Sequence, residues 1–481
     1  MPPKPGQLEF AAALAEHLSS PDGALLAEGY NGLGKTLASL WALKRSGRRG
    51  LIAVRTYEEA GNYYAEAKRL GIRLAVLLSK KSFCTNPRVA GLPQELFYSA
   101  CLQAYSSGEC GDTQIPAPDA PDFPSYVEAS RSAGCPFITT VRAAASSEVS
   151  VVTYPYALDF SDRLGSLLDR FDAIIYDEAH NLVDRYLEAK VLHPSDLTAI
   201  ARAWRSEPVK LLAKHTTGSR VARAALEEAA WELSSILGAN ILVQKDCVVA
   251  YSPPKPILRD ATAFMSGFIP ESTSRILSVF TGVPTKRISA PVPENLKIRV
   301  LITEDIDSSY VRRRENAPSY AELVQQFASL PGRKAVFYAS KKVMKLVGVP
   351  AGAVTPAKVF RPPSSADYLV ADVLGGRLSE GSNVPFDAVL IIGFPYLEPT
   401  PALRFVLNTI RERYGEDLAR SIYEDSALCR VVQAIGRLTR TGGWAILADG
   451  RALRYRYPSW IEVEKMSFYA VVDEIKVFSR V

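Results

Sequence analysis

The chain has 481 residues, a length that predicts about two to four domains and leaves ample room for buried cores. Hydrophobic residues make up 47% and charged residues 22%, which is typical of a globular protein, and six cysteines are too few for a disulfide scaffold. The formal net charge of +6 permits a nucleic-acid partner without requiring one.

Residues 29–36 read G-Y-N-G-L-G-K-T and fit the phosphate-loop pattern G-x-x-x-x-G-K-[ST] at every position. A short apolar run at 24–27 precedes the loop and a helical stretch at 36–43 follows it, which is the context that this motif needs. Backbone N–H groups would bind the phosphates, Lys35 would reach the β- and γ-phosphates, and the Thr36 hydroxyl would bind Mg²⁺. The loop therefore predicts an ATP·Mg²⁺ site formed by Gly29, Gly32, Gly34, Lys35 and Thr36.

Short aliphatic runs alternate with helical stretches, a pattern that predicts an α/β fold with parallel sheets. The runs are continuous rather than alternating, as expected for strands that are covered on both faces. They form two groups, and the proline-rich residues 289–293 between the groups predict a domain boundary. The predicted strands are residues 51–54, 149–153, 173–176, 335–338, 368–373, 388–392 and 444–447.

Four of the six cysteines crowd into one stretch that contains no histidine: Cys84, Cys101, Cys110 and Cys135. Four thiolates can bind a [4Fe–4S] cluster or a structural Zn²⁺, and the alternative is a set of unrelated buried thiols. The spacing C-x16-C-x8-C-x24-C does not choose among these possibilities. The stretch itself is acidic, so the flanking Lys80, Lys81 and Arg142 are the better candidates for contacts with nucleic-acid phosphates.

The strand predicted at 173–176 ends in two adjacent carboxylates, Asp177 and Glu178. Two such charges are costly side by side unless a cation or solvent compensates them, so this strand end predicts a metal site. Asp177 would hold Mg²⁺, and Glu178 would orient and deprotonate an attacking water. Residues 182–252 follow and look helical, most clearly at 222–237.

Near the end of the chain, Gln433, Arg437 and Arg440 are spaced by four and three residues and would share one face of a helix. The two arginines could reach a γ-phosphate in a cleft against another domain. Taken alone, the same spacing would favour a solvated basic helix.

Taken in chain order, these segments resemble the motifs of the XPD/DinG family of superfamily 2 iron–sulfur DNA helicases. Glu28 and residues 32–36 are similar to motif I, and residues 177–181, D-E-A-H-N, are similar to motif II. Residues 55–57, R-T-Y, resemble the R-T-H of motif Ia, which implies contacts of Arg55, Thr56 and Tyr57 with single-stranded DNA. Gln7 resembles the glutamine of the adenine-reading Q motif. Four later segments resemble further motifs: residues 261–263 motif III, 336–340 motif IV, 379–381 motif V and 433–440 motif VI.

The resemblance implies two RecA-like motor domains, formed by residues 1–83, 146–181 and 253–290 and by residues 291–481. Residues 84–145 would be the iron–sulfur insertion, because the family carries its cluster between motifs Ia and II, and this position favours [4Fe–4S] at the four cysteines. Residues 182–252 would be a helical, arch-like insertion. That insertion is short here, as in a compact, archaeal-like member of the family.

The resemblance further implies an ATP-dependent DNA helicase that moves 5′→3′ on single-stranded DNA and splits forked duplexes with an iron–sulfur wedge. Its cofactors would be ATP, Mg²⁺ and [4Fe–4S], and it would act as a monomer in DNA repair or related DNA metabolism. We expect a cytoplasmic, nucleoid-associated protein without a membrane partner, since the sequence shows neither an apolar leader nor a run long enough to cross a bilayer.

Two alternatives remain open. One is an ATP-driven translocase that remodels DNA without separating strands. The other is a nucleotide-dependent DNA-binding subunit that does not hydrolyse ATP, against which the intact Lys35, Glu178 and arginine pair argue.

Overall fold

The computed structural model describes residues 3–92, 94–110, 119–158, 161–355, 367–376, 378 and 384–478. The strands in this part of the chain are β1 (Ala24–Glu28), β2 (Gly50–Val54), β3 (Leu74–Val76), β4 (Val149–Thr153), β5 (Ala173–Asp177), β6 (Lys190–Leu192), β7 (Asn240–Val243), β8 (Val248–Tyr251), β9 (Ala261–Ser266), β10 (Thr285–Ser289), β11 (Ile298–Thr303), β12 (Arg333–Tyr338), β13 (Tyr368–Val373), β14 (Ala388–Ile392), β15 (Trp444–Ala448) and β16 (Ile461–Met466).

The α-helices of the same ranges are α1 (Gln7–Ser19), α2 (Lys35–Ser46), α3 (Tyr57–Leu70), α4 (Pro87–Ala90), α5 (Gln94–Ser106), α6 (Phe123–Ser132), α7 (Pro136–Ser146), α8 (Tyr154–Leu158), α9 (Asn181–Leu187), α10 (Pro194–Trp204), α11 (Glu207–Thr216), α12 (Arg223–Leu237), α13 (Glu271–Thr281), α14 (Ala317–Ala328), α15 (Lys341–Val347), α16 (Pro401–Tyr414), α17 (Glu416–Ile435) and α18 (Phe468–Phe478). Among the helices described, none combines the length and apolarity needed to cross a membrane.

The first sheet is parallel and has the strand order β10-β1-β9-β5-β2-β4-β3. Its strands bury side chains on both faces, which explains their continuous apolar sequences. Leu25 and Ile175 pack on one side in a core that includes helices α1 to α3, whereas Leu26 and Ile174 pack on the other side with Phe137 of α7. The carboxyl ends of β1, β5 and β9 therefore meet at one edge of this sheet, where ligands bind in open α/β folds.

The second sheet is also parallel, with the order β13-β12-β14-β15-β11-β16. Helices α14 and α18 cover one face and α17 covers the other. The α/β class with two parallel-sheet domains is confirmed, and the proline-rich residues 289–293 lie between β10 of one sheet and β11 of the other. The edge strand β16 was not predicted, because Glu462, Glu464 and Lys465 give it the charged sequence of an exposed edge.

The cysteine-containing stretch forms a small core of its own around Val89, Phe97 and Ala104 of helices α4 and α5. The rest of the insertion packs on the first motor domain. Phe123 and Tyr126 of α6 pack against helix α3, and Phe137 of α7 enters the core beneath the first sheet.

Residues 182–252 differ in part from the predicted helical insertion. Helices α10 to α12 are present, and α12 matches the predicted 222–237, but an antiparallel sheet with the order β6-β8-β7 packs on them. The sequence analysis missed this sheet, because its strands are only three or four residues long. Helix α10 contacts α5, so the two insertions touch each other.

The two motor domains are closed on each other. Helix α17 of the second domain packs against α9 and α13 of the first. Arg430 pairs with Asp184 at 3.0 Å, and the Asp425 carboxylate accepts a hydrogen bond from the Ser272 N–H at 3.0 Å. These polar contacts accompany a shared apolar cluster that joins Tyr186 of α9 to the buried faces of α16 and α17.

Candidate active site

The phosphate loop lies at the carboxyl end of β1 and leads directly into helix α2. Gly34 has φ +89°, a left-handed conformation that a side chain would strain, and it caps the helix whose first residue is Lys35. The Lys35 side chain is buried, and its Nζ donates to the Gly29 carbonyl at 3.2 Å. The backbone therefore forms an anion-binding turn, and the Lys35 side chain lies folded against the start of this turn.

A cavity of about 380 Å³ opens in front of this loop between the two motor domains. Its lining combines predicted and unpredicted residues: Lys4, Asn31, Gly32, Gly34, Lys35, Thr36, Arg55, Glu59, Asn62, Tyr63, Asp177, Glu178, His180, Asn181, Val384, Gln433, Gly436 and Arg437. The cavity thus brings together the phosphate loop, the acidic strand end and the basic turn of the second domain. These three segments are each separated by more than a hundred residues in the sequence.

Asp177 and Glu178 lie side by side at the end of β5. Asp177 Oδ2 accepts a hydrogen bond from the Tyr63 hydroxyl at 2.8 Å, and Oδ1 accepts one from the Glu178 N–H at 2.9 Å. Burial and the neighbouring charge of Glu178 raise the pKa of Asp177 to about 7. Burial also acts to raise the pKa of Glu178, but Lys35 and His180 outweigh it and hold that pKa below its ordinary value. Two carboxylates facing one lysine suit a divalent cation, and the Thr36 side chain lies in the same cavity.

Glu178 has a positive φ of 50°, which is uncommon for a side chain of this size. Such strain persists only where surrounding structure holds it, and it concentrates at functional positions. Here it turns the carboxylate toward Ser266 and His180, at 3.5 and 3.4 Å.

A chain of polar side chains links the two motor domains through His180. Its Nδ1 lies 2.8 Å from the Ser266 hydroxyl of β9 and 3.3 Å from the Gln433 amide of α17. Gln433 of the second domain therefore contacts His180, which in turn contacts Glu178 of the first domain. This is a contact between domains, which sequence spacing alone could not indicate.

The basic turn differs in detail from its prediction. Helix α17 ends at Ile435, and a 3₁₀ turn, Gly436–Arg440, follows, so Gln433 and Arg437 do not lie on one continuous α-helical face. Both nevertheless line the cavity, and Arg437 is close enough to Glu178 to lower its pKa. The side chain of Arg440 and the predicted motif at 379–381 lie outside the described residues.

Gln7 does not line the cavity. Its amide donates to the Gly34 carbonyl at 3.3 Å and accepts from the Lys4 N–H at 3.0 Å. Gln7 therefore supports the phosphate loop in this structure. Lys4, three residues earlier in the same segment, lines the cavity.

Asn31 of the phosphate loop reaches across to the second domain. The Asn31 carbonyl accepts a hydrogen bond from the Thr439 hydroxyl at 2.8 Å. The amide side chain fills the space beside Gly267 and Gly436, where a Cβ on either glycine would overlap it. The phosphate loop is therefore in direct contact with the second motor domain.

The residues predicted to contact DNA have mixed placements. Arg55 lines the nucleotide cavity and lies 4.0 Å from the Glu59 carboxylate. Thr56 caps helix α3 in a capping box with Glu59, and the Tyr57 hydroxyl donates to the Leu77 carbonyl. All three follow β2 at the carboxyl edge of the first sheet, but their side chains are largely engaged within the protein.

Lys80, Lys81 and Arg142 flank the cysteine stretch. The Lys80 ammonium lies 4.6 Å over the Phe137 ring and borders the cavity between the cysteines. Lys81 is half-buried, and Arg142 is exposed on α7. The structure therefore leaves Arg142 as the most accessible of the three for a phosphate.

The four predicted cysteines border one cavity of about 400 Å³: Cys84, Cys101, Cys110 and Cys135. They come from separate turns and helices, and Cys135 caps the N-terminus of α7. Burial, together with the neighbouring thiols, raises the pKa of Cys84 and Cys101. Within the described ranges, no three Cys, His, Asp or Glu side chains are close enough to form a single-ion site, so the thiols surround a space rather than meet at a point.

A basic loop on the second domain was also missed by the sequence analysis. It follows β11, where Tyr310 is 82% exposed and the Arg313 guanidinium lies 4.6 Å over its ring. Ser308 at its start accepts a hydrogen bond from the Phe394 N–H, which places this loop beside the loop that follows β14. The signal in the sequence was the run R-R-R at 312–314, which no motif covers.

Comparisons with known proteins agree with this architecture. Residues 52–195 match the family model DEAD_2, and residues 322–464 match the model of a Helicase C-terminal domain. The solved structure titled XPD_Helicase is 17% identical with a TM-score of 0.68, and the match covers 96% of this chain and 99% of that one.

Two further structures are similar over nearly their whole length. The structure of S. tokodaii Xpd4 and the one titled XPD_APO are each 17% identical with TM-scores of 0.59, and each match covers 95% of this chain. The matches cover 99% and 100% of those two chains. No curated protein matches the sequence.

Proposed function

We propose that the chain is an ATP-dependent DNA helicase of the XPD type, because its motor domains match the DEAD_2 and Helicase C-terminal domain models and its fold is similar to that of solved XPD structures. The observation that carries this proposal is the single cavity lined by Lys35 and Asp177 of one motor domain and Arg437 of the other. A γ-phosphate bound there would hold the domains together, and its loss on hydrolysis would release them. Alternate closing and opening of the cleft would move the protein along its track.

Each charged residue of the cavity has a distinct task in the proposed reaction. Lys35 binds the β- and γ-phosphates, Glu178 accepts the proton of the attacking water, and Arg437 stabilises charge that develops on the transferred group. Thr36 and Asp177 would hold Mg²⁺, which neutralises phosphate charge when it is bound. His180 and Gln433 join Glu178 to the second domain, so full activity requires the closed cleft.

The proposed track is a single DNA strand that crosses the carboxyl edges of both sheets. Arg55 and Thr56 directly precede helix α3 at this edge in the first domain. In the second domain, the exposed ring of Tyr310 suits base stacking, and its arginine neighbours suit phosphates. The family resemblance supports 5′→3′ movement.

We further propose that the cavity between the four cysteines holds a [4Fe–4S] cluster. Four thiols around a space of about 400 Å³ fit a group larger than one ion. The cluster would supply four covalent bonds to a segment whose own apolar core is small. The insertion could then act as a rigid wedge at a fork.

The cysteine proposal predicts that Cys135→Ser lowers iron content and duplex unwinding much more than ATP hydrolysis stimulated by single-stranded DNA. The reason is that the cysteine cavity and the nucleotide cavity share no lining residue. The measurements are iron per protein, strand displacement and ATP turnover. Cys247→Ser is the matched control, since Cys247 lies in the other insertion, where its thiol donates to Gln244. Unwinding at the wild-type rate without iron would refute the wedge.

The magnesium proposal predicts a pH dependence. Below about pH 7 a proton would compete with Mg²⁺ for Asp177, because the pKa of this carboxyl is raised to about 7. We expect the Mg²⁺ concentration for half-maximal hydrolysis to rise as the pH falls from about 8 to about 6, by up to about tenfold per unit. The titration is corrected for protonation of ATP itself. A constant Mg²⁺ requirement over this range would contradict a magnesium-binding Asp177 with a raised pKa.

Strand displacement on a forked duplex, measured beside ATP hydrolysis with and without single-stranded DNA, tests the function as a whole. Displacement that requires ATP supports a helicase. DNA-stimulated hydrolysis without displacement would instead indicate a translocase that remodels DNA, and DNA binding without hydrolysis would indicate a nucleotide-dependent binding subunit.

A further inference from the structure

Helix α3 lies between the cysteine insertion and the nucleotide cavity. One of its faces packs on the insertion: the Tyr57 ring stacks on Phe123 with centroids 6.5 Å apart, and the Tyr64 hydroxyl donates to the Ala120 carbonyl at 2.9 Å. The opposite face carries Glu59, Asn62 and Tyr63, which line the cavity. The helix is therefore held on one side and presents side chains to the reaction site on the other.

Tyr63 is the residue of this helix that touches the metal-binding strand end. Its side chain is 1% exposed, and its hydroxyl donates to Asp177 Oδ2 at 2.8 Å. The Ser39 hydroxyl lies 3.4 Å from the same oxygen and donates to the Thr36 carbonyl at 2.9 Å. The Asp177 carboxylate is therefore the nearer acceptor for the Tyr63 proton.

The Asp177 carboxylate is oriented by two donors, one on each oxygen. The Glu178 N–H occupies one lone pair of Oδ1 and Tyr63 occupies one of Oδ2. A carboxylate oxygen has a second lone pair, so both oxygens keep acceptor capacity toward the cavity. Without Tyr63, rotation of the carboxyl group about its Cβ–Cγ bond would be restrained from one side only.

We propose that Tyr63 is a positioning residue that holds Asp177 in the orientation needed to bind the divalent cation of the nucleotide. The proposal rests on the ATP·Mg²⁺ site of the proposed function and adds a residue to it. Outer-shell hydrogen bonds to metal-binding carboxylates orient them and tune their affinity. Because helix α3 (Tyr57–Leu70) packs on the insertion, any shift of this helix would reach Asp177 through the Tyr63 side chain.

The test uses Tyr63→Phe in the full-length protein, with Mn²⁺ as a paramagnetic probe in place of Mg²⁺ and a non-hydrolysable ATP analogue. We expect the Mn²⁺ dissociation constant to rise about tenfold, the usual cost of losing an outer-shell partner. Affinity for the analogue without metal should stay unchanged, since Tyr63 touches the carboxylate and not the phosphate loop.

Tyr64→Phe is the matched control. It removes a buried hydroxyl from the adjacent residue of the same helix and keeps the aromatic packing, but its partner is Ala120 rather than Asp177. We expect its Mn²⁺ affinity to equal that of the wild type, and the thermal stability of the two variants to be similar, because each loses the hydrogen bonds of one buried tyrosine hydroxyl.

Two outcomes would overturn the inference. One is wild-type Mn²⁺ affinity in Tyr63→Phe. The other is an equal loss of metal-free nucleotide binding or stability, which would assign Tyr63 to folding alone. If the wild-type protein itself fails to bind Mn²⁺ with the nucleotide, the proposed ATP·Mg²⁺ site is wrong, and this result is separate from the failure of Tyr63.

Discussion

The Lys35→Ala variant should hydrolyse ATP at least about a hundredfold more slowly than the wild type, with or without DNA. Lys35 is the cation at the base of the phosphate loop, and it is buried beside Gly29 where water cannot replace its charge. Charge on the β–γ bridge that develops during phosphoryl transfer would lose its partner in a site of low dielectric constant. Turnover measured by phosphate release at saturating ATP tests this.

The control for Lys35→Ala is Lys44→Ala on the same helix. Lys44 is exposed, and its ammonium donates to the Leu70 carbonyl, away from the cavity. We expect this control to keep wild-type turnover. Hydrolysis above about a tenth of the wild-type rate in Lys35→Ala would contradict the assignment of the phosphate loop, because one such interaction is worth more than tenfold in rate.

The Glu178→Gln variant should bind ATP with wild-type affinity and hydrolyse it about a hundredfold to ten-thousandfold more slowly, the range expected for loss of a general base. The substitution keeps the shape of the side chain and its contacts with Ser266 and His180. It removes the carboxylate that Lys35 and His180 keep ionised. ATP affinity and single-turnover hydrolysis, measured on the same sample, separate binding from chemistry.

Glu188→Gln is the control for this variant, since Glu188 is exposed beyond the next helix and pairs with Arg185. It should leave both measurements unchanged. Loss of ATP binding in Glu178→Gln would mean that the strained backbone at Glu178 depends on the carboxylate, which would make the residue a structural one.

The sequence was sufficient to predict those elements whose structure depends on residues close together in the chain. Strands such as 149–153 and 388–392 were predicted because burial on both faces requires continuous apolar residues. The phosphate loop was predicted because its geometry depends on consecutive backbone groups. The family and the α/β class follow from such pieces in order, and the fold and the domain models agree with them.

Two features of the insertions could not be predicted from sequence patterns. The antiparallel sheet of residues 190–251 has strands too short for a periodic signal, and it forms because α10 to α12 offer an apolar face for Val248 and Leu192. Similarly, the spacing of the four cysteines did not indicate that they border one cavity. Convergence of side chains from distant turns is a property of packing rather than of spacing.

The sequence by itself determined the type of fold, the phosphate loop and the acidic strand end, since each depends on residues that are adjacent in the chain. Only the tertiary structure decided which side chains meet. It turned Gln7 toward Gly34, placed Arg55 beside the nucleotide cavity and brought Tyr63 to Asp177 across 114 positions of sequence. The physical reason is that hydrogen bonds and apolar contacts act over a few ångströms, whatever the separation along the chain.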